Sequence, residues 1–262
     1  MNRYLSTFLL FLFAGSLHAA SPKSAAPLYQ VEMIIFQTTA LRGWTEEFWP
    51  WPESLQHLDL QAENSLDHPA EPPLIHTKPE NSAFEKKGET PSTPLLPPEE
   101  ETPWSLTDLL NGLKPEQAPF WVSRIQPVTP EHYLLKPALT KLVPERGYRI
   151  ISHLAWQQPA LPSNISKPLA IDAATETGDL LSGTVWFYKN RYAHIRLQLT
   201  LERIIPKAVR EAFAQHEGIP LQALPESWPF YLEVQRKIKS GPWYYIDHPI
   251  YGVLLTIQKI QD

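Results

Sequence analysis

Apolar and polar residues alternate most regularly between residues 181 and 202. In the second half of this segment two interleaved sets occur, Ala193, Ile195, Leu197, Leu199 and Leu201 against Tyr192, His194, Arg196, Gln198 and Thr200. Successive side chains of a strand point to opposite faces of a sheet, so this pattern predicts one buried face and one solvated face. The polar turn Lys189-Asn190 joins this strand to a similar run, Leu181 to Tyr188, which predicts a hairpin.

Shorter patterns predict the other elements. Strands are expected at residues 29–36, 148–156, 228–238 and 253–257, and the first of them is apolar enough for a central strand. One short helix is expected near residues 104–112, capped by Ser105 or Thr102, and another over about 130–143, which Pro137 should kink or divide into two turns. Residues 160–178 are interpreted as a loop. Together these elements predict an α+β fold with an antiparallel or mixed β-sheet and one or two short helices on one face.

The segment from Asp67 to Pro103 differs in composition from the rest of the chain. It holds nine prolines in 37 residues, the acidic run Glu99-Glu100-Glu101 and few large apolar groups. Such a segment buries too little surface to offset the entropy lost on ordering. We therefore predict a Pro-rich disordered insertion at about residues 67–103, within one α+β domain spanning residues 20–262.

The first residues are typical of a secretory signal, with a positive charge at Arg3, an apolar run from Leu5 to Leu17, and small residues at Ala19-Ala20. We expect residues 1–19 to be a signal peptide cleaved near Ala19, and the mature protein to lie in the periplasm without a membrane anchor. A retained anchor is the alternative, but an apolar run of about 13 residues is shorter than the ~20 that span a bilayer.

Composition narrows the chemistry. The chain has no cysteine. Its 28 carboxylates outnumber its 23 Lys and Arg side chains, and this acidic balance argues against a surface that binds nucleic acid. It lacks Gly-x-Ser-x-Gly, His-Glu-x-x-His and a glycine-rich phosphate loop. We expect no enzyme activity, no cofactor and no metal. A hydrolase whose active site is assembled from distant residues is an open alternative.

The solvated face of the predicted hairpin is the first candidate for ligand contact. Its residues Tyr192, His194, Arg196 and Gln198 combine an aromatic ring, hydrogen-bond donors and a guanidinium that can bind a carboxylate bidentately. The alternative is a face that is only solvated.

Two further groups have both functional and structural interpretations. The aromatic residues could stack on glycan rings, meet a protein partner, or fold back over the sheet edge: Trp44, Phe48, Trp49 and Trp51. Asp247-His248 could hold an imidazole beside a carboxylate, as acid/base or metal chemistry requires. Pro249 favours a structural turn instead, with Asp247 bonding backbone amides and Gly252 in a conformation that other residues avoid.

Several short motifs occur in order along nearly the whole chain: Tyr29-Gln30-Val31-Glu32 with Ile35-Phe36, Trp49-Pro50, Tyr148-Arg149, Ala155-Trp156-Gln157-Gln158-Pro159, Tyr192-Ala193-His194, and Asp247-His248-Pro249 with Gly252. In this order they resemble the CsiV family of periplasmic peptidoglycan-binding proteins. The resemblance implies a non-enzymatic role in cell-wall biogenesis. It also implies two partners besides peptidoglycan, a class A penicillin-binding protein and that synthase's lipoprotein activator. A pure protein–protein adaptor is a further alternative.

Overall fold

The computed structural model describes residues 26–49, 102–114 and 116–261. The predicted signal peptide, Trp51 and almost all of the predicted insertion lie outside these residues. Within the described ranges, no helix is both long enough and apolar enough to cross a membrane.

The described chain is built mainly from β-strands. The strands are β1 (Leu28–Thr38), β2 (Trp104–Ser105), β3 (Gln126–Pro127), β4 (Tyr148–Pro159), β5 (Leu169–Ala174), β6 (Leu180–Lys189), β7 (Ala193–Ile204), β8 (Ser227–Ile238), β9 (Trp243–Asp247) and β10 (Tyr251–Lys259). The α-helices are α1 (Leu106–Leu110), α2 (Phe120–Ser123), α3 (Lys136–Leu139) and α4 (Arg210–Glu217), and 3₁₀ turns lie at Arg42–Thr45, Pro130–His132 and Pro144–Arg146.

These strands form two five-stranded sheets. Sheet A has the order β3-β4-β1-β10-β9, and sheet B has the order β2-β5-β6-β7-β8. Neighbouring strands are antiparallel in both sheets, except for the parallel pair β2 and β5. The predicted α+β class, with antiparallel or mixed strand pairing and few short helices, is confirmed.

The inner faces of the two sheets enclose a shared hydrophobic core. The ring of Tyr29 in β1 lies 5.6 Å from that of Phe187 in β6, and the Tyr251 hydroxyl of β10 donates to the Leu199 carbonyl of β7 at 3.3 Å. In β7 the alternation is as predicted, since Ala193, Ile195, Leu197, Leu199 and Leu201 are all buried. The intervening polar residues therefore point away from the core, onto the opposite face of sheet B.

A smaller apolar cluster covers part of the outer face of sheet A. Ile34 and Phe36 of β1 pack there with Leu135 and Ala138 from the segment around α3. Strand β1 is thus buried on both sides, as its apolar run predicts for a central strand.

The helical predictions are confirmed in outline. Ser105 caps α1, because its Oγ accepts a hydrogen bond from the Asp108 amide at 3.2 Å. The expected helix over residues 130–143 is divided, as Pro137 requires, into the 3₁₀ turn Pro130–His132 and the single turn α3.

Several elements were not predicted, and β5 and α4 are two of those that contribute to the shared core. Residues 169–174 were interpreted as a loop but form β5, where Leu169 and Ile171 reach the shared core. The sequence of β5 is rich in alanine, which gives only a weak alternation. Helix α4 packs Phe213 into the same core and ends at Gly218, whose φ of 71° closes the last turn.

Candidate functional site

The outer face of sheet B brings together polar and aromatic side chains from three adjacent strands. This face consists of Thr184, Trp186 and Tyr188 on β6, His194, Arg196 and Gln198 on β7, and Glu233, Gln235 and Lys237 on β8. The pairing register places Trp186 and Gln235 on either side of Arg196, and Tyr188 and Lys237 on either side of His194. Three of the four predicted contact residues therefore form one row along β7, with aromatic and charged neighbours.

Arg196 is already engaged with a carboxylate of the protein. Its Nη2 donates to Glu233 Oε1 at 2.6 Å, and Gln198 Nε2 donates to the same oxygen at 3.2 Å. The prediction of ligand contact by Arg196 did not include this internal carboxylate. Glu233 lies 35 residues beyond Gln198 in the chain, and only the pairing of β7 with β8 brings its carboxylate to Arg196.

An aromatic cluster supports the other end of this face. The ring of His194 stacks on Tyr188 with centroids 5.2 Å apart and planes 12° from parallel, and Trp186 lies 4.7 Å from Tyr188. Gln235 Nε2 donates to the Tyr188 hydroxyl at 2.9 Å. This packing buries Tyr188 although its side chain lies on the outer face of the sheet. The cluster is therefore held in place by contacts within the protein.

Tyr192 lies in the turn just before β7, rather than in the strand as predicted. Its ring is exposed and is approached by two cations, with Lys237 Nζ 3.2 Å and Arg191 Cζ 5.3 Å from the ring centroid. A cation near the face of an aromatic ring is attracted by the ring quadrupole. Tyr192 therefore adds an aromatic and cationic rim to the outer face of sheet B.

The predicted aromatic group near residue 44 is mostly core. Trp44 is fully buried and meets Phe213 and Phe230 edge-on, with centroids 5.3 Å and 5.0 Å away. Trp49 is also buried, and its Nε1 donates to the Trp44 carbonyl at 3.1 Å. Glycan stacking by these two residues is excluded, because their rings are not accessible. Phe48 is exposed, and Trp51 lies outside the described residues.

His248 is a buried, neutral imidazole. It lies in the loop joining β9 to β10, stacked against Trp49 at 5.1 Å and near Tyr251 at 4.6 Å. Its Nδ1 accepts a hydrogen bond from the Ile250 amide at 3.2 Å. Burial lowers the pKa of His248 to about 4, and a hydrogen bond with the Tyr231 backbone and the nearby Asp247 charge oppose this only partly. An imidazole in this setting stabilises the loop.

Asp247 and Gly252 differ in detail from the predicted turn. Asp247 accepts its hydrogen bond from the Tyr245 hydroxyl, at 2.5 Å, where bonds from backbone amides were predicted. Gly252 lies inside β10 and does not have a positive φ, so the predicted unusual conformation is wrong. Its role is steric, since a Cβ there would lie 2.8 Å from Phe36 Cζ and 2.9 Å from Tyr245 Cε2.

One carboxylate–imidazole pair was missed by sequence reasoning. Glu32 is fully buried and its Oε1 lies 2.8 Å from His153 Nε2. The backbone amides of Leu134 and Leu135 also donate to this carboxylate, at 2.5 Å and 2.9 Å. Its acceptor sites are therefore used internally, and the pair attaches residues 134–135 to sheet A. Over the described ranges, no three His, Asp or Glu side chains are grouped so that they could hold a metal ion.

Three of the four predicted contact residues thus lie on an open sheet surface. The chain belongs to the CsiV family, described as a peptidoglycan-binding protein, whose family model matches residues 4–260. A peptidoglycan-binding family indicates a location in the cell envelope. No curated protein and no solved structure matches the chain.

Proposed function

We propose that this protein binds peptidoglycan in the periplasm through the outer face of sheet B, without turning over any substrate. We also propose that this binding supports cell-wall synthesis by a class A penicillin-binding protein, together with that synthase's lipoprotein activator. The observation that carries the proposal is the family match over residues 4–260. We assign the binding to the outer face of sheet B because of the chemistry of its accessible side chains.

The groups on this face are complementary to those of the wall polymer. Peptidoglycan presents sugar hydroxyls and apolar ring faces along its glycan, and carboxylates and amines on its stem peptides. The outer face of sheet B offers the exposed ring of Tyr192, the amide of Gln198 and the cations Arg191, Arg196 and Lys237. Exposed charges are screened by salt, so binding that uses these cations should weaken as ionic strength rises.

One experiment separates the proposed function from its alternatives. Purified mature protein is incubated with isolated sacculi, and the pellet and the supernatant are both examined. Co-sedimentation without released muropeptides is expected. Soluble products that disappear when a carboxylate is substituted would establish a wall hydrolase instead, and a protein that stays in the supernatant would favour a pure adaptor.

The link to synthesis needs a second measurement. Glycan polymerisation by the class A synthase and its lipoprotein activator is followed with and without the protein. A rate that rises with the protein, and less so with a variant that no longer binds sacculi, is the expected result. An unchanged rate would limit the function to wall binding.

A further inference from the structure

Strand β9 exposes two aromatic rings on the outer face of sheet A, whereas the residues proposed to bind the wall lie on the outer face of sheet B. Trp243 is 46% exposed and Tyr245 is 50% exposed, while Ile246 is buried in the shared core. Residues two apart on a strand share a face, so Trp243, Tyr245 and Asp247 point the same way at intervals of about 7 Å. Asp247 is exposed as well.

The ring of Tyr245 is held in place from two sides. Phe36 stacks behind it with centroids 6.2 Å apart and planes 12° from parallel, and the Tyr245 hydroxyl donates to Asp247 Oδ1 at 2.5 Å. Gly252 lies beneath both rings, where a Cβ would collide with each of them. Tyr148 meets Phe36 edge-on at 5.4 Å, which supports the stack from β4. A ring fixed in this way loses little conformational entropy when a ligand packs on it.

The free edge of β9 is poorly suited to pairing with a further strand. Arg236 of β8 donates through Nη1 to the Tyr245 carbonyl at 3.2 Å, so a backbone acceptor of β9 is already engaged. The strand is also short, with five residues. The accessible recognition groups are therefore the side chains on its outer face, two rings and one carboxylate.

This combination is complementary to a sugar ring. The C–H face of a pyranose is apolar and packs flat on an aromatic side chain, whereas its hydroxyls are donors that need acceptors at the rim. Asp247 supplies such an acceptor, because an ionised carboxylate has two oxygens with several lone pairs and the Tyr245 hydroxyl uses only one position. A negatively charged stem peptide would be repelled by the same carboxylate.

We propose that Trp243, Tyr245 and Asp247 form a saccharide-binding site for a neutral β-1,4-linked N-acetylhexosamine chain, separate from the outer face of sheet B. The choice of this saccharide rests on the proposed wall-binding function, since it is the sugar chemistry of the wall glycan. The protein then contacts the wall at two places, with glycan at β9 and the charged parts of the polymer at the outer face of sheet B.

The probe is a β-1,4-linked N-acetylglucosamine tetramer, which carries no stem peptide, titrated calorimetrically into the mature protein. The parent protein should bind it saturably. Trp243→Ala should weaken binding at least about tenfold through loss of a stacking surface, and Asp247→Asn should weaken it through loss of the charged acceptor. Tyr245→Phe keeps the ring but removes the hydroxyl that positions the Asp247 carboxylate, so its affinity should lie between those of the parent and Trp243→Ala.

Phe120→Ala is the matched control, because Phe120 is an aromatic residue that is 78% exposed elsewhere on the surface. It should bind the tetramer as the parent does. A parent protein that sediments with sacculi but takes up no tetramer would overturn this site and leave wall binding intact. Equal tetramer affinity of Trp243→Ala and the parent would overturn it too. Tetramer binding by a protein that fails to sediment with sacculi would support the site and contradict the proposed function.

Discussion

The Arg196 guanidinium has to be considered together with Glu233, whose carboxylate lies 2.6 Å away. Both side chains are accessible, 36% and 63% exposed, so this pair contributes about 1 kcal/mol or less to folding. A carboxylate of a stem peptide can therefore replace Glu233 at small cost. In the proposed binding mode, Glu233 is thus an internal competitor for the carboxylate of the ligand.

This competition predicts opposite changes in affinity for sacculi when Arg196 and Glu233 are substituted. Arg196→Ala should weaken binding to sacculi about ten- to hundredfold, as expected for one charge-assisted hydrogen bond of roughly 1.5 to 3 kcal/mol. Glu233→Gln should strengthen binding, because it removes the competing charge. Arg196→Lys keeps the charge without the planar fork and should lie between the parent and Arg196→Ala. Sedimentation isotherms measure all four proteins, and equal affinities for Arg196→Ala and the parent would mean that this side chain serves only Glu233.

His248 provides a prediction about stability and pH. Its pKa is about 4 in the folded protein and 6.5 for an unperturbed histidine, so between these values the unfolded chain binds a proton that the folded protein does not. Stability is therefore full above pH 6.5 and falls as the pH drops towards 4, by no more than about 3 kcal/mol. Nearby Glu217 changes stability with pH in the opposite direction. Burial raises its pKa, so its protonation at lower pH favours the folded form.

The measurement compares urea unfolding of the parent and His248→Asn at pH 7 and pH 5. Asparagine keeps an acceptor near the position of Nδ1 but does not titrate, while Glu217 is common to both proteins and cancels in the difference. The parent should lose more stability than the variant on acidification. Identical losses would show that His248 does not remain neutral in the folded protein.

At the scale of elements, β7 shows what the sequence can predict. Its faces are fixed by local alternation, because apolar side chains at every second position must reach the core together. The same logic fails for Trp44 and Trp49, whose surroundings come from Phe213 in α4 and Phe230 in β8. No local pattern indicates contacts so distant in sequence. The Arg196–Glu233 pair was not predicted for the same reason.

Gly252 offers a test of how β9, β10 and β1 pack together. Gly252→Ala places a methyl group against the rings of Phe36 and Tyr245 and should destabilise the fold by about 1–3 kcal/mol, the usual cost of overpacking. Adding Tyr245→Ala removes one of the two obstructing rings. The double variant should then lose less stability than the sum of the single variants in thermal unfolding. Strict additivity would contradict the steric explanation.

At the scale of the molecule, the chain between Trp49 and Trp104 contains the predicted insertion and joins two positions in the described fold. Trp49 lies in the shared core, and Trp104 opens β2 by pairing with Leu169 of β5. Deleting residues 67–103 keeps both ends, and the seventeen remaining residues 50–66 can reach across at most roughly 60 Å.

We expect this deletion to leave the fold intact, because the Pro-rich and acidic composition offers little apolar surface to a core. The deleted protein should melt within a few degrees of the parent in a calorimetric scan. A larger fall in melting temperature would show that the segment packs on the two sheets and that the predicted insertion is wrong.

In the proposed function, the protein binds the wall through the outer face of sheet B. The most direct test is the sedimentation of the triple variant Tyr192→Ala, Arg196→Ala, Lys237→Ala with sacculi. Leu197→Ala is the matched control on the same strand, where a core cavity should cost about 3 kcal/mol of stability while the outer face stays unchanged. We expect the parent and Leu197→Ala to enter the pellet at concentrations where the triple variant stays in solution. A triple variant that melts like the parent and still pellets like it would contradict the claim.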